Sequence, residues 1–392
     1  MVTMQTADNA LKSYYLDAVT EALDMKVNPL LAQIKKSTAD VWGKDVRKLV
    51  RYGVNGGIGA GTETGNLPAA HGNNYVQFTS TLKNLYGTLE ISDKAIRASA
   101  NNEGAFVNLL NDEMEALVRS SSFNFGRMLY GDGTGKLCSV VSVGSNNVIT
   151  MDDVSAVAEG MLVDFYSSAD ALISGTDGRV VTAVDRDNNT ITVDGAAITS
   201  TAVPKDSYIT LQNSKGCEIT GLGAIFSSTA TALYGVTRAD HPWMKPYTQT
   251  DVGSIDDVTV QTAIDTIERN SGSRINFIVC SFGVRRMLAD YFNQYKTYTP
   301  AMEIQGGYKA LSFGGIPVVA DRFCPAGTMY LLNTDDFRLH QLCDWQWLEG
   351  EDGKILRQVP GKPVYTATLV KYAELMCARP FGQGMLTGID ED

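Results

Sequence analysis

The sequence predicts an α+β fold assembled from unequal parts, and three observations carry that expectation. A glycine-rich stretch over residues 53–74 is flanked by two strand-like runs. One uninterrupted helical pattern covers residues 102–131. Short strands at regular spacing fill residues 138–215, after which helical and strand patterns alternate. With 44% hydrophobic and 20% charged residues over 392 positions, the chain is ordinary globular material, long enough for several cores.

In chain order, residues 5–36 carry apolar side chains at three- and four-residue spacing (Leu11, Tyr15, Ala18, Ala22), which predicts helix. Pro29 divides it into one helix to about residue 26 and a short one over 30–36. The charge then turns basic: Lys26, Lys35, Lys36, Lys44, Arg47, Lys48 and Arg51 stand against Asp40 and Asp45. Residues 45–54 and 75–91 read as strands. Between them lie Gly53, Gly56, Gly57, Gly59, Gly61, Gly65 and Gly72, with no lysine or arginine. This is a long glycine-tipped hairpin. An arm of about 12 to 16 residues would span roughly 40–50 Å. A two-stranded arm of that length is not stable alone. It is expected not to bury itself on its own domain, and so to lie on a neighbour or stay mobile.

Ser92 is expected to cap a short helix over 93–99, and Asn102 a long one with Glu103 in its first turn. Its apolar stripe runs through Phe106, Leu110, Met114, Leu117, Val118, Phe125 and Leu129 to a stop at Gly131-Asp132-Gly133. About 28 residues make a rod of roughly 42 Å. From 138 to 215, strands are expected over 140–143, 148–151, 162–166, 178–185, 190–193 and 208–211. Turn dipeptides such as Asn146-Asn147 and Asn188-Asn189 separate them. This reads as an all-β insertion, with ten acids against four bases. Asp256 then opens a helix bearing Val260, Ile264 and Ile267, a buried strand covers 276–280, and Ser281 caps a helix bearing Val284, Leu288, Tyr291 and Phe292. Further strands are expected over 311–313, 316–320 and 329–332, then a long run over 365–378.

Most catalytic chemistry lacks its residues. The segment Gly131–Gly135–Lys136–Leu137 has three residues between its glycines and follows a helix. A phosphate-binding loop needs four, a preceding strand and a hydroxyl after the lysine. No G-x-S-x-G elbow occurs. His71, His241 and His340 have no partner at ligand spacing, and Asp256-Asp257 and Asp335-Asp336 sit where capping explains them. Six scattered cysteines without a C-x-x-C read as reduced thiols. No apolar run reaches the roughly 18 residues of a membrane helix, and no basic-then-apolar start is present. A soluble chain outside the export route is expected, with no membrane partner. The net charge of −11 opposes nucleic-acid binding at long range. The basic stretch with Lys35, Lys36, Lys44, Arg47 and Lys48 still allows weak local contact with a polyanion, although it lacks interleaved aromatics for stacking. No catalytic residue, cofactor site or metal site is expected.

The order of parts resembles the major capsid proteins of tailed bacteriophages with the Hong Kong 97 fold, over nearly the whole chain. The residues that carry the resemblance are Gly235-Val-Thr-Arg238-Ala-Asp-His-Pro-Trp243, and Gly314-Gly-Ile-Pro317-Val-Val-Ala-Asp321 followed by Cys324-Pro-Ala-Gly327-Thr-Met-Tyr330. The resemblance implies an N-arm over 1–50, an extended hairpin (E-loop) over 51–91, and a P-domain over 92–137 with spine helix 102–131. It further implies the β-rich insertion domain over 138–215, mainly A-domain over 216–335, and P-domain strands and tail over 336–392. It implies a structural protein that assembles into pentamers and hexamers of an icosahedral shell around a double-stranded DNA genome. Gly53, Gly56, Gly57, Gly59, Gly61 and Gly65 would then lend the hairpin tip its flexibility, and Lys35, Lys36, Lys44, Arg47 and Lys48 would touch DNA weakly at the inner face. Implied partners are a portal, a decoration protein and a scaffolding protein. About fifty residues before the hairpin are too few for a built-in scaffold, so the resemblance implies either a separate scaffolding protein or a chain in its mature form. The implied location is the virion, with assembly in the host cytoplasm. The hairpin carries no lysine from Gly53 to Leu82, which departs from members that weld subunits through a hairpin lysine. An encapsulin-like nanocompartment shell is the alternative within the same fold, and an enzyme with an unrecognised site the alternative outside it.

Overall fold

The computed structural model describes residues 28–94, 103–295, 301–304, 308–350 and 353–391. The helix expected over 5–26, most of that over 93–99, and the Asn102 cap fall outside these residues.

The first described element corrects the sequence reading. The helix is Pro29–Gln33, with Pro29 in its first turn, where the missing N–H costs nothing. By Lys35–Ser37 the chain is already strand, parallel to Arg338–His340. That strand edges a five-stranded sheet. Its centre is the antiparallel pair Phe337–Trp347 and Val364–Cys377, and Lys83–Ser92 and Arg357–Gln358 both pair with the latter. The long helix Glu103–Tyr130 packs on this sheet, with Met114, Val118, Phe125, Met128 and Leu129 buried. Strand Lys83–Ser92 passes close beneath it at Gly87, where a side chain would press on Leu117 and Ser121 at 3.1 Å.

A seven-stranded mixed sheet forms the second layer system, in the order Tyr247–Gln249, Gly384–Leu386, Met329–Leu332, Phe277–Cys280, Ile316–Ala320, Tyr308–Phe313, Ala301–Ile304. The all-apolar run Phe277–Cys280 has a physical reason. Phe277 and Val279 face the core shared with the long helix, while Ile278 and Cys280 face the helices Asp257–Ser271 and Phe282–Tyr295. A strand covered on both faces reads as continuous rather than alternating. Asp256 caps its helix as expected, accepting from Thr259 N at 2.7 Å. The pair Asp335-Asp336 does not cap. Asn333 does, accepting from Asp335 N. The terminal strands divide: Gly384–Leu386 crosses to the seven-stranded sheet and does not stay with Val364–Cys377.

The strands from Lys136 to Leu211 form a closed six-stranded barrel, beginning two residues before the expected 138, with ring order Thr190–Val193, Val148–Met151, Lys136–Val143, Tyr208–Leu211, Leu162–Tyr166, Arg179–Asp185. It has its own core of Val140, Ile149, Met151, Val163, Phe165, Val181, Ile191 and Ile209. Its entry and exit meet where Gly216 N donates to Thr134 O at 2.8 Å. A buried ion pair, Arg127 with Glu218, ties the end of the long helix to the barrel exit.

Candidate assembly site at the hairpin and its root

The strand expected over 75–91 is two strands. Asn74–Thr81 pairs with Asp45–Tyr52, register Asp45↔Thr81 to Tyr52↔Asn74. At Leu82 the chain turns, and Lys83–Ser92 joins the five-stranded sheet instead. The paired arm is thus eight residues, about 26 Å, shorter than the sequence suggested. The break shows in the alternation as a change of phase: the inward side chains are even-numbered before it (Val76, Phe78) and odd-numbered after it (Leu85, Leu89, Ile91).

Register sorts the arm into two faces. Val46, Lys48, Val50 and Tyr52, with Ser80, Phe78 and Val76 opposite, turn inward, and Val46 and Phe78 are fully buried. The expectation that the arm could not settle on its own body fails for this face. Trp243 stacks on Tyr52 (centroids 5.1 Å apart, planes 16°) and on Phe78 (6.1 Å, 12°). The turn at Tyr234-Gly235, both with positive φ, presents Tyr234 O to Thr79 N at 2.9 Å. Arg238 is buried and donates to the carbonyls of Ala224, Ile225 and Ser227. The segment 235–243 therefore acts as a clamp that seats the hairpin.

A second contact lies under the outer strand. Ser80 Oγ donates to Glu374 Oε1 at 3.1 Å, and Thr220 N donates to the same oxygen at 3.2 Å. Glu374 is fully buried, and burial pushes its carboxyl up to about 7 against the pull of those donors. Its cross-strand partner His340 contacts Ala39 O through Nδ1 at 3.2 Å, and burial lowers its pKa.

The outward face carries Arg47, Leu49 and Arg51 opposite Thr79, Gln77 and Tyr75. Trp42, in register with Asp45, shares it. Trp42, Leu49 and Tyr75 are 70%, 65% and 54% exposed, and Val54, Ile58 and Leu67 in the tip are more so. Of the six tip glycines, Gly53 alone takes a left-handed φ, +66°. Others fit close neighbours: a side chain at Gly59 would meet Pro68 at 3.1 Å, and one at Gly57 would meet Asn55 at 3.2 Å. Asn55 braces the neck, accepting from Gly57 N at 2.9 Å.

The basic candidates do not form one patch. Lys35 is paired with Asp335 at 2.8 Å and Lys36 with Asp344 at 2.9 Å. Asp344 also accepts from buried Lys371. Burial alone would raise the Asp344 carboxyl, but Lys371 and Lys36 hold it well below the usual carboxylate range. Arg47 approaches Asp45 at 3.8 Å. Lys48, with Arg51 and Arg379, lines a cleft of about 430 Å³ walled by Tyr52, Trp243 and Phe381. Those aromatics come from three distant segments, so a sequence reading could not group them. Among the described residues no set of three His, Cys, Asp or Glu could hold a metal ion, and no helix is long and apolar enough to cross a membrane.

No family model matches the chain, and no curated protein matches it. Solved structures do. The chain superposes on the cyanophage A-1(L) capsid protein with a TM-score of 0.55 at 12% identity, over 93% of both chains. It has the Hong Kong 97-like fold of tailed-phage major capsid proteins. Looser likenesses, which add no argument, include the capsid of Myoviridae phage XM1 (TM-score 0.47, 9% identity, 93% and 92% of the chains) and the SrpI encapsulin of Synechococcus elongatus (0.46, 8%, 93% and 89%).

Proposed function

We propose that this chain is a major capsid protein, the non-catalytic wall subunit of an icosahedral shell around double-stranded DNA. The observation that carries the reading is the two-faced hairpin. One face is occupied by the chain's own Trp243, while the other presents Trp42, Leu49 and Tyr75 to solvent beside an exposed apolar tip. A ribbon with an exposed apolar face has the form of an interface awaiting a partner. The fold likeness to a phage capsid over 93% of the chain makes other copies the natural partner.

Each copy then makes several modest heterologous contacts whose rotation closes into pentamers and hexamers. Their multiplicity makes loss of one subunit improbable. The net charge of −11 keeps the wall from gripping the genome, and Lys44 and Lys48 leave room for weak DNA contact at the inner face. A separate scaffolding protein, a portal and a decoration protein complete the assembly, which starts in the host cytoplasm and ends as a virion. Deleting residues 56–71 tests the reading. The expected outcome is a folded chain that forms no closed shells by electron microscopy, and normal shells would refute it.

A further inference from the structure

Two surfaces complement each other in charge and in apolar character. The outward hairpin face is apolar with a basic excess: Arg47 and Arg51 flank Leu49, with Trp42 and Tyr75 beside them. The one acid on the paired strands of this face, Asp45, lies 3.8 Å from Arg47 and leaves Arg51 as the uncompensated charge. It cannot fold onto the body, because the opposite face of the same ribbon is already seated on Trp243. The barrel is its converse. Nine of its ten acids are exposed, Asp164 alone being buried. Its guanidinium groups are held internally, Arg179 on Gly175 O and Asp194 O, Arg186 on Val157 O. The flank 159–178 carries the exposed acids Glu159, Asp170 and Asp177 together with Leu162 and Leu172, which are 44% and 49% exposed. Asp170 already accepts from Tyr208 Oη and lies 3.6 Å from Lys215 Nζ, whereas the Asp177 carboxylate is exposed.

We propose that the outward hairpin face of one copy docks on the acidic barrel of a second copy, along the flank 159–178. Leu49 and Tyr75 would cover Leu162 and Leu172, and Arg51 would meet Asp177. Such charge pairing sets partner and register more than affinity. The insertion is then part of the wall's bonding, since it receives the arm. The inference rests on the shell reading but is separable from it.

The test replaces Leu49, and in a second variant Tyr75, by p-benzoylphenylalanine. Particles are assembled from heavy-isotope-labelled and unlabelled copies, irradiated and mapped by mass spectrometry. Mixed-isotope cross-links landing within 138–215 are expected. In the Leu49 probe, Arg51→Glu lowers their yield about tenfold, and Arg51→Glu with Asp177→Lys restores it. Particles that form but cross-link outside 138–215 overturn the docking and leave the shell reading standing. A protein that stays monomeric overturns both.

Discussion

The barrel and the hairpin are both antiparallel β structure, yet they solve the edge problem oppositely. In the barrel the ring closes, Thr190–Val193 pairing with both Val148–Met151 and Arg179–Asp185. No strand edge is left over and the inward residues fill their own core. The hairpin has two strands and two faces, and its body covers one of them. Closure makes a part self-sufficient, and an open ribbon makes it dependent. One chain thus carries a unit whose apolar residues are covered by its own closure beside one that leaves an apolar face open.

The comparison breaks most readily at the barrel core. Phe165 is fully buried among Val163, Val181 and Ile209, so Phe165→Ala should cost about 4 kcal/mol. Thermal unfolding should show the loss confined to a barrel transition, and a uniform shift of the whole chain would deny the barrel its independence. Next is the clamp. Trp243→Ala removes the ring stacked on Tyr52 and Phe78 and should cost about 3 kcal/mol. It is read as faster amide hydrogen exchange over 74–81 with the barrel unchanged.

The Glu374 contact follows. Its carboxyl is raised from 4.5 to about 7, so the folded state holds a proton the unfolded chain releases. Stability is fully present below the unfolded value and falls as pH rises through about 7. Glu374→Gln keeps an acceptor and cannot ionise, so it should remove that fall, up to about 3 kcal/mol at complete ionisation. Equal pH slopes for both proteins between pH 5 and 8 would show the carboxyl to be unperturbed. The smallest effect belongs to Lys35→Ala. Both partners of its pair with Asp335 are 64% exposed, so urea unfolding should move by less than about 0.5 kcal/mol.

Legibility tracked locality. All six barrel strands stand close to where alternation and turn dipeptides put them, because each hairpin carries its own signals: Asn146 and Asn147 both take positive φ, as a tight turn requires. The long helix reads from its apolar period and glycine stop. The break at Leu82 is marked only by a slip of phase, from Val76, Phe78 and Leu82 to Leu85, Leu89 and Ile91, and a reading of 75–91 as one strand misses it. The Trp243 clamp was visible only as part of a resembling segment. Nothing in its local sequence says that it stacks on residues 52 and 78. The basic run looked like one patch, but Lys35 and Lys36 are each paired with a carboxylate about 300 positions away.

The sequence by itself determined the six barrel strands, the long helix, the two helices bearing Val260 and Leu288, the acidity of the insertion and the presence of a glycine-tipped arm. These follow from periodicity, composition and turn chemistry, which act over a few residues. Tertiary structure alone decided that the barrel closes, that the final strand returns to the seven-stranded sheet, and which face of the arm is covered. Those outcomes depend on pairings between residues far apart in the chain, where burial of apolar surface and satisfaction of backbone hydrogen bonds are settled by the whole molecule.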